Sequence, residues 1–196
     1  WLMEMKLMTS PSSHAVLSPS SAHRWLACPA SVGLVASMPE RVEETSAYAR
    51  EGTLAHEAAE KSAAYTFGQL PKDELTRWLD AFAPDVGDRD EMLEHAHAWA
   101  QVLARFEEDM GGAQVLLEQR FETGVPSCWG TADAVLVSSD TVHVCDFKYG
   151  QGVKVNAANN PQMMLYALGA LDAYSLVSDI QHVAMTIYQP RIEHLS

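Results

Sequence analysis

The sequence predicts an α/β fold: a mixed central sheet of about four strands flanked by helices, with a helical region ahead of it. Two observations carry this. Up to about residue 110, apolar residues recur at helical spacings of three and four. After Gly111-Gly112 the texture changes to short runs rich in Val and other β-formers, bounded by turn residues and interrupted by one helical stretch. Residues 1–19 are polar and Ser/Pro-rich and read as a flexible N-terminal arm. Residues 20–196 read as a single domain, with a helical part over 20–112 and a sheet core over 113–196.

Each element has a local reason. Ser20 or Ser21 caps a short helix through Leu26, and Pro29 follows it. A second helix covers residues 45–67 and stops at Gly68, and residues 71–82 read as a third. The clearest helix covers 88–110, where Met92, Ala96, Trp99, Leu103, Phe106 and Met110 repeat along one face. Its His95 and His97 do not share a face and read as ordinary helix residues. Strands follow at 113–122, 131–138, 142–148 and 181–188, with a helix over 158–173 before the last. Three consecutive strands predict an antiparallel meander, and the helix then crosses over to the fourth.

Composition narrows the function. Hydrophobic residues are 47% of the 196 and charged residues 20%, which supplies a sizeable core and excludes global disorder. No apolar run reaches about 18 residues, so no membrane helix is expected. The first thirty residues lack the layout of a signal peptide. Cys28, Cys128 and Cys145 are scattered and odd in number, which points to a reducing cytoplasm rather than a disulfide framework. The net charge of −13 argues against coating nucleic acid by bulk positive charge. However, 17 of the 26 acidic residues lie between positions 39 and 110, and residues 113–166 are close to balanced. The acidity therefore belongs to the helical surface and leaves a local metal-dependent groove open.

Three pairs of residues stand out. If Ser139 and Asp140 centre the turn between the second and third strands, Asp133 sits directly opposite Asp146. Opposed residues have Cβ atoms about 4.5–5.5 Å apart. Two carboxylates so placed repel, and a divalent cation between them turns the liability into a ligand pair. On the same strand Lys148 shares the face of Asp146. From spacing alone the aspartates read equally as solvated residues with Lys148 as their salt-bridge partner. His56 and Glu60, four apart on the second helix, share a face; they supply a metal ligand and its support, or simply a surface pair. The run from His56 to Glu60 superficially suggests a zinc protease, but that motif requires His where Glu60 stands. Gln162 and Tyr166 form a third such pair, read as contacts to a phosphate backbone or as a half-buried polar edge.

Taken together these residues resemble the PD-(D/E)XK nuclease superfamily, in its RecB-like exonuclease branch. The matching pieces are G-x-x-x-H-x-x-x-E (Gly52, His56, Glu60), G-x-x-D (Gly130, Asp133), D-x-K (Asp146, Lys148) and Q-x-x-x-Y (Gln162, Tyr166), in the family's order, across residues 51–166. Ser18 to Ser31, with Arg24, Trp25 and Cys28, looks like phage or prophage members of the branch. The resemblance implies a restriction-endonuclease-like core and Mg²⁺- or Mn²⁺-dependent hydrolysis of DNA in a bacterial host cell, alongside phage recombination or replication proteins. It implies His56, Asp133, Asp146 and the Phe147 carbonyl as metal ligands. Asp133, Asp146 and Lys148 become the catalytic set, Glu60 a support, and Gln162 and Tyr166 the substrate contacts. An iron–sulfur cluster, present in several relatives, is not supported within this chain, because no Cys follows Cys145. Either this member lacks the cluster or the chain is truncated at Ser196. The competing readings are a non-catalytic DNA-binding or assembly module that keeps the nuclease fold, and a metal hydrolase acting on a small phosphoester.

Overall fold

In the computed structural model, residues 15–38, 46–83 and 88–196 are described. Six α-helices precede or interleave five strands: α1 (Ala22–Ala27), α2 (Ala30–Ser37), α3 (Ala47–Thr66), α4 (Lys72–Ala81), α5 (Arg89–Asp109), β1 (Gln114–Glu122), β2 (Trp129–Val137), β3 (Thr141–Phe147), α6 (Pro161–Tyr174), β4 (His182–Gln189) and β5 (His194–Leu195). The sheet order is β1-β2-β3-β4-β5. β1, β2 and β3 form the expected antiparallel meander. α6 then crosses over so that β4 lies parallel to β3, and β5 folds back antiparallel on β4. The architecture is thus α/β with a mixed sheet.

Two hydrophobic layers hold it. On one face α3 and α5 pack against Val115, Ala134, Leu136, Cys145 and Phe147. The α3 side of that contact is built from Ala55, Ala58, Ala59 and Ala63, small enough for α5 to approach with its Met92, Trp99 and Leu103. On the other face Met163, Tyr166, Ala167 and Ala170 of α6 cover Phe121, Val135, Val142, Val144 and Ile187. Gly169 allows this closeness: a Cβ there would lie 2.7 Å from Phe121 Cβ and 2.9 Å from the Glu122 carbonyl oxygen.

Three expectations need amendment. The sheet has five strands rather than four, because Pro190–Ile192 and a left-handed Glu193 reverse the chain into a two-residue strand. α2 was not anticipated: its residues, Ala-Ser-Val-Gly-Leu-Val-Ala-Ser, are apolar without helical periodicity, and none of them is buried. Of the expected N-terminal arm, residues 1–14 lie outside the described residues. Residues 15–19 are tied down: Leu17 donates its N–H to the Ser127 carbonyl, and Pro19 is buried.

Substituting Gly169→Ala forces α6 off β1. We expect a loss of about 1–3 kcal/mol in unfolding free energy, the usual cost of overpacking a filled core. Urea denaturation of the two proteins measures it.

Candidate active site

The turn at Ser138–Thr141 fixes the β2–β3 register. Ser138 N–H donates to the Thr141 carbonyl at 2.9 Å, and the Ser138 hydroxyl accepts from Thr141 N–H at 3.1 Å. The rungs run Val137–Val142, Leu136–His143, Val135–Val144 and Ala134–Cys145. The register carried one step further would set Asp133 against Asp146, the pairing the sequence predicts, but the regular ladder ends at Ala134–Cys145. There the ladder opens. The Phe147 N–H donates to Asp133 Oδ2 at 2.7 Å, so a side chain takes the place of a backbone acceptor.

The β1–β2 pairing extends the row. Leu117–Ala134 and Gln119–Ala132 pair on either side of Glu118 and Asp133, which stand opposite each other without being a regular rung. Glu118 has φ +47°, a left-handed backbone in mid-strand. Side-chain alternation reverses at this point in both strands. Val115 and Leu117 pack towards α3 and α5, whereas Phe121 packs towards α6; Ala134 and Ala132 differ in the same way. Asp133 therefore does not simply share the face of Val135 and Val137, as strict alternation predicts. Glu118, Asp133 and Asp146 form one row across three adjacent strands.

Helices from both faces converge on this row. From α3, His56 Nδ1 lies 3.3 Å from Asp133 Oδ1, and its ring meets Phe147 edge-on with centroids 5.5 Å apart. Burial pulls the His56 pKa down, but the Asp133 hydrogen bond and the Asp133 and Asp146 charges outweigh it, and the net shift is upward. Glu60, one turn on, is half-buried, with Oε1 3.2 Å from Lys61 Nζ. From α6, Asn160 caps the helix by accepting from Gln162 N–H and Met163 N–H, which sets Gln162 in the first turn. Gln162 donates to Asp146 Oδ1 at 2.9 Å and accepts from Lys148 Nζ at 3.1 Å. Lys148 Nζ closes the triangle, 3.3 Å from Asp146 Oδ1 and 3.0 Å from Oδ2.

Asp146 is 2% exposed. Its Oδ2 sits at ion-pair distance from Lys148 yet accepts no well-directed hydrogen bond. Burial and the facing Asp133 charge push its pKa up to about 6, against the pull of Lys148. Tyr166 is 4% exposed and lies against Gly130, where a Cβ would stand 3.0 Å from the Tyr166 ring and from Pro19. A side chain at the Gly of the G-x-x-D pattern would press on Tyr166 and Pro19. The Gly52 of G-x-x-x-H has open space around it. Tyr166 is placed as a buried support beside Gln162 rather than as an open contact surface. Phe147 is fully buried as a side chain, and its N–H is the group that contacts the Asp133 carboxylate.

The structure brings together His56, Glu60, Asp133, Asp146, Phe147, Lys148, Gln162 and Tyr166. Sequence reasoning missed Glu118. Its signal was the β1–β2 register, which the irregular connection at 123–128 conceals. Beside the row, Arg191 pairs with Glu51 of α3 at 2.8 Å and lies over the Tyr149 ring, fastening the loop after Lys148 to that helix. These residues line a cleft of about 590 Å³ together with Tyr48 and Gly52.

Among the described residues, no three His, Cys, Asp or Glu side chains converge as a ready metal-holding group. The donors are turned on one another: Asp133 is engaged by His56 and the Phe147 N–H, and Asp146 Oδ1 by Gln162 and Lys148. The donor chemistry nevertheless fits a hard divalent cation, because opposed carboxylates include a buried oxygen without a hydrogen bond. Among the described residues no helix is long and apolar enough to cross a membrane.

The raised Asp146 pKa has a definite sign in stability. Between the ordinary carboxylate value and about 6, the folded state holds a proton that the unfolded state has lost. Stability of the metal-free protein therefore falls as pH rises through that window. Thermal melts in EDTA between pH 4 and 7 should show this slope, and it should be shallower in Asp146→Asn. Equal slopes in the two proteins would contradict it.

A family model described as "Protein of unknown function (DUF2800)" matches residues 14–196. The match spans most of the chain, which belongs to that family.

Proposed function

We propose that this DUF2800 member is a metal-dependent DNA nuclease with a restriction-endonuclease-like core, a RecB-like exonuclease of phage type. The observation that carries the reading is the meeting of Asp133 and Asp146 just beyond the Ala134–Cys145 end of the β2–β3 ladder, with Lys148 and Gln162 locked onto Asp146. The proposed setting is DNA end-processing in the cytoplasm of a bacterial host, alongside phage recombination or replication proteins.

Electrostatics explains the need for a cation. A phosphodiester approaching this row meets Glu60, Glu118, Asp133 and Asp146, with His56, Lys61 and Lys148 to offset them. Asp133, Asp146 and His56 would hold Mg²⁺ or Mn²⁺, with the Phe147 carbonyl as a further oxygen. Such an ion lowers the pKa of bound water and neutralises charge on the scissile phosphate.

The chain's own residues do the rest. Gln162 holds Lys148 and Asp146 in register, so the ammonium stays beside the carboxylate as substrate enters. From there Lys148 orients the attacking water and stabilises the negative charge that grows on the phosphate oxygens. The Phe147 N–H fixes the Asp133 carboxylate, leaving its Oδ1 towards His56. Tyr166, buried one turn beyond Gln162, steadies it through its hydroxyl, and Glu60 flanks His56 on the same helix face. The mixed charge of the site and the acidic helical surface restrict DNA to an approach along the strand ends.

The test is cleavage of linear single- and double-stranded DNA with Mg²⁺ or Mn²⁺ and with EDTA. Activity should require the metal. Asp146→Ala and Lys148→Ala should each reduce it by about 10²–10³-fold or more, the scale of losing a group that stabilises transition-state charge. Cleavage that survives EDTA, or that Asp146→Ala leaves unchanged, would overturn the reading.

A further inference from the structure

The geometry points to Gln189 as a positioning residue of the proposed nuclease site. Its side chain fastens the loop that leads into Gln162, and it acts through Gln162 on Asp146 and Lys148. This inference rests on the nuclease reading of the same site. It goes beyond the motif residues, none of which lies on β4.

The loop needs a fastener. Between Lys148 and α6, residues 149–160 form neither helix nor strand, so no ladder fixes their course. Yet the Gln162 amide must meet Asp146 Oδ1 at 2.9 Å and Lys148 Nζ at 3.1 Å. Reacting groups tolerate little drift from such an arrangement.

Gln189 supplies the fastening from the last position of β4. Its side chain is 1% exposed. Oε1 accepts from Val155 N–H at 2.7 Å, and Nε2 donates to the Val153 carbonyl at 3.0 Å. One side chain thus bonds the backbone at alternate residues, as a neighbouring strand would. Burying an amide is costly unless both its ends are paired, and here both partners belong to this loop.

The fastening carries through to the site. His194 Nε2 donates to the Val155 carbonyl at 3.1 Å, and Ser196 Oγ accepts from Ala157 N–H at 3.0 Å, holding the same stretch. The Ala157 carbonyl accepts from Asn160 N–H at 3.2 Å, and Asn160 Oδ1 caps Gln162 N–H and Met163 N–H. The position before Gln189 serves the other partner of Asp146: the Tyr188 carbonyl accepts from Lys148 N–H at 2.9 Å. Consecutive residues at the end of β4 therefore set Lys148 through its backbone and Gln162 through its loop.

A double-mutant cycle separates positioning from general stability. The quantities are kcat and KM for Mn²⁺-dependent DNA cleavage by the full chain, with Gln189→Met made in the unaltered and in the Gln162→Ala backgrounds. We expect Gln189→Met to lower kcat about tenfold with little change in KM, the scale of losing a group that orients a site from outside it. In the Gln162→Ala background it should lower kcat no further. Equal losses in both backgrounds, or an unchanged kcat in the first, would overturn the role of Gln189 and leave the nuclease reading standing. The side-chain amide signals of Gln162 in the nuclear magnetic resonance spectrum of the metal-free protein give a readout that needs no activity. They should shift in Gln189→Met, and unmoved signals would also overturn the positioning. Gln189→Glu, which keeps the acceptor for Val155 N–H, replaces Gln189→Met in both measurements should that variant fail to fold. If the unaltered protein cleaves no DNA, the nuclease reading falls and the Gln162 signals alone decide the positioning.

Discussion

A backbone N–H that finds a side chain instead of a strand is the contact on which the rest of the site depends. Phe147 N–H could complete another rung of the β2–β3 ladder; it donates to the Asp133 carboxylate instead. That substitution satisfies the amide, as burial requires, and regular β2–β3 pairing ends at Ala134–Cys145. Beyond that rung, acidic side chains meet groups arriving from both faces of the sheet. A regular ladder in the same place would close this opening.

The helices reach the opening because small residues let them come close. The alanines of α3 seat it on α5, which places His56 and Glu60 over the row. Gly169 lets α6 lie on β1, and Gly130 makes room for Tyr166, one turn beyond Gln162. Packing and chemistry are therefore the same problem here. The side chains that bear charge are long, and the residues that aim them are short.

Much of this was legible in the sequence, for identifiable reasons. The turn Ser138–Thr141 is short and hydrogen-bonded through Ser138, so the β2–β3 register followed from it and placed Asp133 against Asp146. The helix spacing of His56 with Glu60, and of Gln162 with Tyr166, needed only the 3.6-residue period. Glu118 was not legible. The β1–β2 connection contains Gly124 and Ser127, both at positive φ, and has no length rule that fixes the pairing. Nothing in a glutamate announces a left-handed backbone, as glycine would. α2 escaped because its apolar residues face outward without a period, and β5 because two residues carry no pattern.

The Arg191–Glu51 pair has a consequence for how the protein comes into being. It joins positions 140 apart in the chain. The candidate centre likewise joins residue 56 to residue 162, far apart in the chain. Contacts so distant in sequence form only after long loops have closed. During synthesis the acidic helices leave the ribosome well before β3 and α6 exist to meet them. A half-made chain thus holds several of the carboxylates but no centre, and whatever chemistry the site performs waits until α6 has been made.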